Sequence, residues 1–159
     1  MKNKKLKTVL IGMGSVGYKN DILMPNKIRT HYKALSLNKR IDLIGVLELK
    51  KKFRYMKKLK DIKIYNNFDH LKKLDFEIAV VAVPTIFHYR VLKFLIKLKQ
   101  VKCIICEKPF TNKIEKSKNI FFFSKKNNTK IYINYFRRAI PSFQLFKEFI
   151  KKKKILDVN

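Results

Sequence analysis

A glycine-rich stretch near the amino terminus has the spacing that nucleotide phosphates require. The run Gly12-Met13-Gly14-Ser15-Val16-Gly17 directly follows a short apolar segment, residues 6–11. In such a run the first glycine permits a tight turn, the second lets the backbone approach a pyrophosphate, and the third lets a helix pack against the strand. Backbone N–H groups and the helix dipole then hold the phosphates. The alternative is a plain tight turn. We therefore predict a dinucleotide site at Gly12, Gly14, Ser15, Val16 and Gly17.

The second candidate for this site is Glu48, a carboxylate at the end of the second apolar segment. A carboxylate in that position accepts hydrogen bonds from the ribose hydroxyls of NAD and repels the 2′-phosphate of NADP. Glu48 lies farther from the glycines than the usual spacing of about 20 residues. Residues 18–29 are therefore predicted to form an inserted loop. Because Lys50, Lys51 and Lys52 follow at once, NADP remains open, and a solvated carboxylate is the alternative interpretation.

Two further polar clusters follow apolar segments. The first is Val83-Pro84-Thr85-Ile86-Phe87-His88, and the second is Cys106-Glu107-Lys108-Pro109. Ligands of open α/β sheets bind at the carboxyl ends of the strands. We therefore expect both clusters to lie at the same edge as the glycines.

These residues need a sheet to position them, and the chain alternates between apolar segments and amphipathic ones. Strands are predicted at 6–11, 41–47, 62–65, 76–83, 102–106 and 130–134, and helices at 30–37, 50–59, 87–98 and 112–126. Near-continuous apolar runs indicate strands that are covered on both faces, as in parallel sheets. Alternating strands and helices predict the α/β class: a doubly wound parallel sheet in the order 3-2-1-4-5-6, with helices on both faces.

The last part of the chain has a different pattern. Residues 142–154 read as one amphipathic helix, and Phe143, Phe146 and Phe149 fall on one side of it. We expect residues 1–134 to form a dinucleotide-binding domain and residues 135–159 to begin a second, truncated domain. The phenylalanine face is expected to lack a packing partner and to promote self-association.

Several of these motifs together resemble one family. Glu107-Lys108-Pro109 matches an E-K-P signature, and Pro84-Thr85 with His88 resembles a T-P-x-x-x-H element, with Pro84-Thr85 in place of a Thr-Pro that would start one residue earlier. Two further stretches resemble the family's histidine-containing first helix and its N-x-x-R-R element: Thr30-His31-Tyr32-Lys33-Ala34-Leu35 and Asn134-Tyr135-Phe136-Arg137-Arg138. The chain thus resembles the N-terminal half of a sugar oxidoreductase of the Gfo/Idh/MocA family, with a Rossmann domain that binds NAD or NADP.

The resemblance implies roles for individual residues. Lys108 takes the place of the lysine beside the nicotinamide and the reacting hydroxyl, where its charge can stabilise an alkoxide. Glu107 would face the nicotinamide side, and Pro109 would shape the turn, often through a cis bond in the family. Two sites have two interpretations each. His88 contacts the cofactor or caps a helix, and the pair Arg137 and Arg138 binds an anionic substrate group or is a solvated pair. Cofactor contacts are also implied for Pro84 and Thr85, and His31 is interpreted as a packing or capping residue near the cofactor loop.

The function that follows is the NAD(P)-binding part of a sugar or nucleotide-sugar oxidoreductase, with NAD favoured by Glu48. The family's substrate domain and its histidine acid/base have no counterpart in the sequence, so the chain is expected to be inactive alone. A separately encoded substrate domain or a homo-oligomer is the expected protein partner. The alternatives are a non-catalytic dinucleotide sensor, one half of a split enzyme, and a basic polyanion-binding module.

Charge and cysteine content bear on those alternatives. The chain has 39 Lys and Arg against 11 Asp and Glu, a net charge of +28. The lysines are spread over the whole chain together with many Ile, Asn and Phe, the bias that an AT-rich genome imposes. We therefore expect no specific nucleic-acid partner, no membrane association and a cytoplasmic location.

Cys103 and Cys106 form a C-x-x-C inside a predicted strand, where they are expected to be core thiols and not a redox pair or metal ligands.

Overall fold

The computed structural model describes residues 4–23, 26–50, 59 and 62–152. Six parallel strands form one sheet in the order β3-β2-β1-β4-β5-β6. The strands are β1 (Leu6–Ile11), β2 (Ile41–Leu47), β3 (Ile64–Tyr65), β4 (Ile78–Val81), β5 (Cys103–Cys106) and β6 (Lys130–Ile133). The predicted class, the parallel pairing and the strand order are confirmed.

The central strands are apolar on both sides because both faces of the sheet are covered. In β1, Val9 and Ile11 belong to one core cluster and Leu10 belongs to the other, as the alternation of a strand requires. These three side chains are at most 1% exposed. Burial of side chains of this size contributes about 1.5–3 kcal/mol each to the stability of the fold. The central strands, and the loops that follow them, are therefore firmly held.

Helices cover the two faces. The helical segments are a π-helical turn (Ser15–Lys19), α1 (Asn20–Leu23), α2 (His31–Leu37), α3 (Phe68–Lys72), α4 (Thr85–Lys97), α5 (Ile114–Lys126), a 3-10 turn (Phe136–Ala139) and α6 (Pro141–Lys152). Leu92 of α4 and Ile120 of α5 pack in the cluster that contains Val9. Tyr32 and Leu35 of α2 pack against the cluster that contains Leu10. The doubly wound arrangement is therefore confirmed.

Three local predictions differ from the structure. The loop predicted at 18–29 is wrong for residues 18–23, because helical structure starts right after the glycines and Tyr18 packs edge-on against Tyr32, with ring centroids 5.1 Å apart. Helix α3 was not predicted; it is short, and its signal is the capping residue Asn67, whose side chain accepts the Asp69 N–H. Strands β3, β4, β5 and β6 are each shorter than predicted; for β4 the reason is that apolar residues continue into the flanking turns. The helix predicted at 50–59 lies almost wholly outside the described residues.

The two cysteines lie on opposite faces of β5. Cys106 is buried in the core, and burial raises the pKa of its thiol to about 12. Cys103 is half-buried, and burial raises the pKa of its thiol as well. Both thiols therefore stay protonated at neutral pH, which disfavours a reactive thiolate. The prediction of a core thiol is confirmed for Cys106 and only partly for Cys103.

The carboxyl-terminal helix α6 presents an apolar side to solvent. Phe143, Phe146 and Phe149 are each at least half exposed. The exposure of this face agrees with the pattern in the sequence. Within the described residues, no helix is long and apolar enough to cross a membrane.

Candidate functional site

The three glycines after β1 have three different environments. Gly12 has a φ of +97°, and a Cβ there would lie 2.8 Å from the Ala82 carbonyl carbon. A Cβ on Gly17 would lie 2.2 Å from the Gly12 carbonyl oxygen. A Cβ on Gly14 would meet nothing within 4 Å. The first glycine therefore makes the turn, the third permits close packing, and the second leaves an open cradle where a phosphate can approach the backbone.

The helical turn begins at the cradle. The Tyr18 and Lys19 N–H groups both donate to the Gly14 carbonyl oxygen, at 2.9 and 3.1 Å. Ser15 and Val16 form the first residues of this turn and are exposed. A helix start that opens on an exposed surface offers N–H groups and a positive dipole end to an anion.

Glu48 is held at this edge by the glycine loop itself. Its Oε2 accepts the Met13 N–H at 2.8 Å, and its Oε1 accepts the Lys50 N–H at 2.9 Å. These bonds fix a carboxylate beside the cradle, at the end of the neighbouring strand β2. Each carboxylate oxygen accepts more than one hydrogen bond, so capacity remains for two ribose hydroxyls.

Pro84 and Thr85 lie where β4 leads into α4. Pro84 is the N-cap residue and Thr85 is the first helical residue, so both lie at the carboxyl edge of the sheet. Ala82, just before them, donates its N–H to the Ile11 carbonyl at 2.8 Å. This bond joins the β4 turn to the end of β1, where the glycine loop starts.

His88 is buried behind this turn, only 1% exposed. Its Nδ1 lies 3.0 Å from the Pro109 carbonyl oxygen and 3.1 Å from that of Phe110, and its Nε2 lies 2.9 Å from the Val83 carbonyl oxygen. The ring therefore links the start of α4 to the turn after β5. These contacts favour a structural role for His88; direct contact with a cofactor stays a prediction.

Glu107 and Lys108 follow β5, and the Lys108–Pro109 peptide bond is cis. Lys108 is exposed at the edge. Glu107 is turned inward: its Oε1 accepts hydrogen bonds from His31 Nε2 at 2.7 Å and from Asn134 Nδ2 at 2.5 Å. Burial alone would raise the pKa of Glu107, but the bonds from His31 and Asn134 outweigh it, and the pKa of this carboxyl is lowered.

Arg137 and Arg138 lie in the 3-10 turn after β6, three and four residues beyond Asn134. They line an open cleft together with residues of α6 that include Gln144, Lys147 and the carboxylate Glu148. The Arg138 guanidinium also lies over the Tyr135 ring, 5.4 Å from its centroid. The cleft places cations where an anionic group can reach them.

The structure thus brings the predicted residues to one edge, at the carboxyl ends of β1, β2, β4, β5 and β6. Two contributions were not predicted from the sequence. Met13 was passed over although its N–H holds Glu48, and His31 was interpreted as a packing or capping residue. Thr30 is the cap instead, accepting the Lys33 N–H, and His31 contacts Glu107. A backbone contact and a pairing across 76 positions leave no local signal in a sequence.

A parallel sheet of this order with a glycine cradle and a held carboxylate defines a dinucleotide-binding Rossmann domain. The model of the Gfo/Idh/MocA oxidoreductase family, NAD-binding Rossmann fold, matches residues 6–135. The chain belongs to this family. It is also 29% identical over 99 residues to an uncharacterised oxidoreductase of Schizosaccharomyces pombe, a match that covers 62% of this chain and 26% of that protein.

Solved structures share the fold. The WlbA dehydrogenase of Chromobacterium violaceum, solved with NADH and UDP-GlcNAcA, superimposes with a TM-score of 0.78 at 16% identity over 96% of this chain and 41% of that one. The apo scyllo-inositol dehydrogenase of Lactobacillus casei gives a TM-score of 0.78 at 18% identity over 99% and 44%. The myo-inositol 2-dehydrogenase of Lactobacillus plantarum gives a TM-score of 0.75 at 18% identity, over 97% of this chain and 43% of that one. The chain therefore spans less than half the length of these matched structures.

Proposed function

We propose that this chain is the NAD-binding part of an oxidoreductase that transfers hydride between a sugar or nucleotide-sugar hydroxyl and nicotinamide. The observation that supports the proposal most is the joint geometry of the glycine cradle and Glu48. Gly14 leaves the space that a pyrophosphate needs, and Met13 holds the carboxylate one strand away. Membership in the family supports the dinucleotide and the oxidoreductase class.

NAD is proposed over NADP because of the charge at Glu48. A fixed carboxylate accepts hydrogen bonds from both ribose hydroxyls and repels the doubly charged 2′-phosphate. The Met13 and Lys50 N–H bonds hold it in place before any ligand arrives, which reduces the entropy lost on binding. Lys50 contacts Glu48 through its backbone, so its ammonium group is not what holds the carboxylate.

At the other end of the edge, Lys108 is proposed to act on the substrate. The bound nicotinamide would supply the hydride acceptor or donor. Lys108, exposed beside Glu107, would stabilise the negative charge that develops on the sugar oxygen. Arg137 and Arg138 would bind an anionic group of the substrate, such as a phosphate. A sugar or nucleotide sugar is the proposed substrate class because one matched dehydrogenase was solved with UDP-GlcNAcA, and two others are named for inositols, cyclic polyols with hydroxyl groups like those of a sugar.

The chain alone is proposed not to turn over a sugar. It spans 41% to 44% of the matched structures, and the family's remaining length is proposed to orient the substrate. Orientation of reactants contributes up to about 7–11 kcal/mol to lowering a barrier, so a substrate that is poorly held reacts slowly. The dinucleotide site, in contrast, is proposed to work within this chain.

The cofactor preference can be tested at Glu48. The wild-type chain is expected to bind NAD more tightly than NADP in a calorimetric titration. Glu48→Gln should reduce that preference, because it removes the negative charge with little change in shape. Glu77→Gln is the matched control: it removes an equal charge just before β4, at the amino end of the sheet. Equal affinity of the wild type for both cofactors, or an unchanged preference in Glu48→Gln, would contradict the assignment.

A further inference from the structure

One carboxylate at the edge is bonded to residues from three separate parts of the fold. Glu107 follows β5, His31 is the first residue of α2, and Asn134 directly follows β6. Glu107 Oε1 accepts from His31 Nε2 at 2.7 Å and from Asn134 Nδ2 at 2.5 Å. The His31 and Glu107 side chains are only 17% and 12% exposed. We name His31, Glu107 and Asn134 together the Glu107 clamp.

The position of His31 is fixed from behind. Thr30 caps α2, and the Asp21 carboxylate of α1 accepts the Arg29 N–H at 3.1 Å and the Thr30 hydroxyl. His31 therefore extends its ring from an anchored helix start. A carboxylate can only accept, so Nε2 must carry the proton in this contact.

The clamp holds the backbone that leads into Lys108. The Glu107 N–H donates to the Val81 carbonyl at 3.0 Å, and the Asn134 N–H donates to the Cys106 carbonyl at 2.8 Å. Glu107 Oε2 also lies 3.3 Å from the Lys108 N–H. With main chain and side chain both held, the direction in which Lys108 leaves the sheet is set by Glu107, while Lys108 itself stays exposed.

The clamp is separated from Glu48, which is proposed to bind the ribose hydroxyls of the adenosine at the other end of the ligand. Glu48 follows β2 and Glu107 follows β5, and these strands are three positions apart in the sheet order. At a spacing of about 4.8 Å per strand, that is about 14 Å along the edge. A change in the clamp should therefore act on one end of an extended dinucleotide and spare the other.

We propose that His31 and Asn134 are positioning residues that act through Glu107 to hold the Lys108 turn against the nicotinamide end of the cofactor. This inference rests on the proposed function, because it assumes that the dinucleotide lies along this edge. Under this proposal His31, the first residue of α2, acts at the nicotinamide end of the site and does not serve only to pack its own helix.

The test compares NADH with ADP-ribose, which lacks the nicotinamide. In His31→Leu, which removes the donor, NADH should bind about tenfold more weakly, since a hydrogen bond to a charged group is lost. ADP-ribose should bind as it does to the wild type. His31→Gln, which keeps a donor, should recover most of the NADH affinity, and Asn134→Leu should behave as His31→Leu does. The fluorescence of bound NADH should change in the two leucine variants and return towards the wild-type signal in His31→Gln.

The matched control is His70→Leu, the same replacement at an exposed histidine of α3. It should leave both affinities unchanged. Equal weakening of NADH and ADP-ribose in His31→Leu would overturn the clamp and indicate a purely structural contact, as would no weakening of either. A wild-type chain that binds neither ligand would overturn the proposed function and the clamp with it. A wild-type chain that binds both, with variants that do not discriminate between them, would leave the proposed function standing and reject the clamp alone.

Discussion

At the scale of single residues, each glycine of the loop has its own physical requirement. Gly12 needs a positive φ, Gly17 needs the absence of a Cβ, and Gly14 has room for a Cβ. The motif therefore combines two positions at which the fold requires glycine with a third, Gly14, at which the surrounding structure leaves room for a side chain. This separation allows folding and binding to be perturbed independently.

Gly17→Ala should destabilise the fold. Its Cβ would lie 2.2 Å from the Gly12 carbonyl oxygen, a backbone atom that cannot move without disturbing the turn. Overpacking of this kind costs about 1–3 kcal/mol, so the midpoint of thermal unfolding should fall by roughly 3–10 °C. Gly14→Ala is the control and should unfold near the wild-type temperature. Equal midpoints for Gly17→Ala and the wild type would show that the loop does not pack as described.

The Glu107 carboxylate should contribute stability that depends on pH. Its pKa is lowered in the folded chain, so the contribution is complete above the ordinary glutamate value of 4.5 and is lost as the pH falls through the folded value. Relative to the wild type, Glu107→Gln should be less stable at pH 7, and the difference should shrink below about pH 4.5. Urea unfolding at several pH values measures this, with Glu77→Gln as the control. A difference that does not change with pH would contradict the charged contact with His31.

At the scale of elements, sequence patterns predicted where each strand lies in the chain and that the strands are parallel, but they predicted the ends of the strands less well. The strand at 76–83 was predicted too long, because Phe76 is a buried core residue that precedes β4, and Val83 lies in the turn after it. The glycine motif could be predicted because its residues are adjacent in sequence. The Glu107 clamp could not, since its members are 76 and 27 positions apart and meet only through the sheet topology.

Helix α6 should mediate association between copies of the chain. Phe143 and Phe146 are 50% and 60% exposed and lie three positions apart, on one side of the helix. Covering the exposed part of such rings removes apolar surface from water and so favours association. Sedimentation should show the wild type associating with concentration and Phe143→Ser/Phe146→Ser remaining a monomer. Phe122→Ser, which removes a ring that is 66% exposed from α5, is the control. A wild-type chain that stays monomeric would contradict this use of α6.

At the scale of the whole molecule, the net charge of +28 predicts weak attraction to any polyanion. Because the lysines are spread over the chain, binding to DNA should be independent of sequence. Two unrelated duplexes should therefore bind with equal affinity in a fluorescence anisotropy assay, and both affinities should collapse by about 0.2 M salt. Tight binding of one duplex above that salt concentration would favour a nucleic-acid adaptor over the oxidoreductase.

The central claim is that this chain binds a dinucleotide along the carboxyl edge of its sheet. Its most direct test is a calorimetric titration of NADH into the wild type and into Gly14→Val, with thermal unfolding of both. Gly14 has a negative φ and open space around it, so the variant should fold normally. Its side chain would occupy the cradle, and the affinity should fall by at least about tenfold, or 1.4 kcal/mol. A folded Gly14→Val chain that binds NADH as tightly as the wild type would show that the pyrophosphate does not approach this loop.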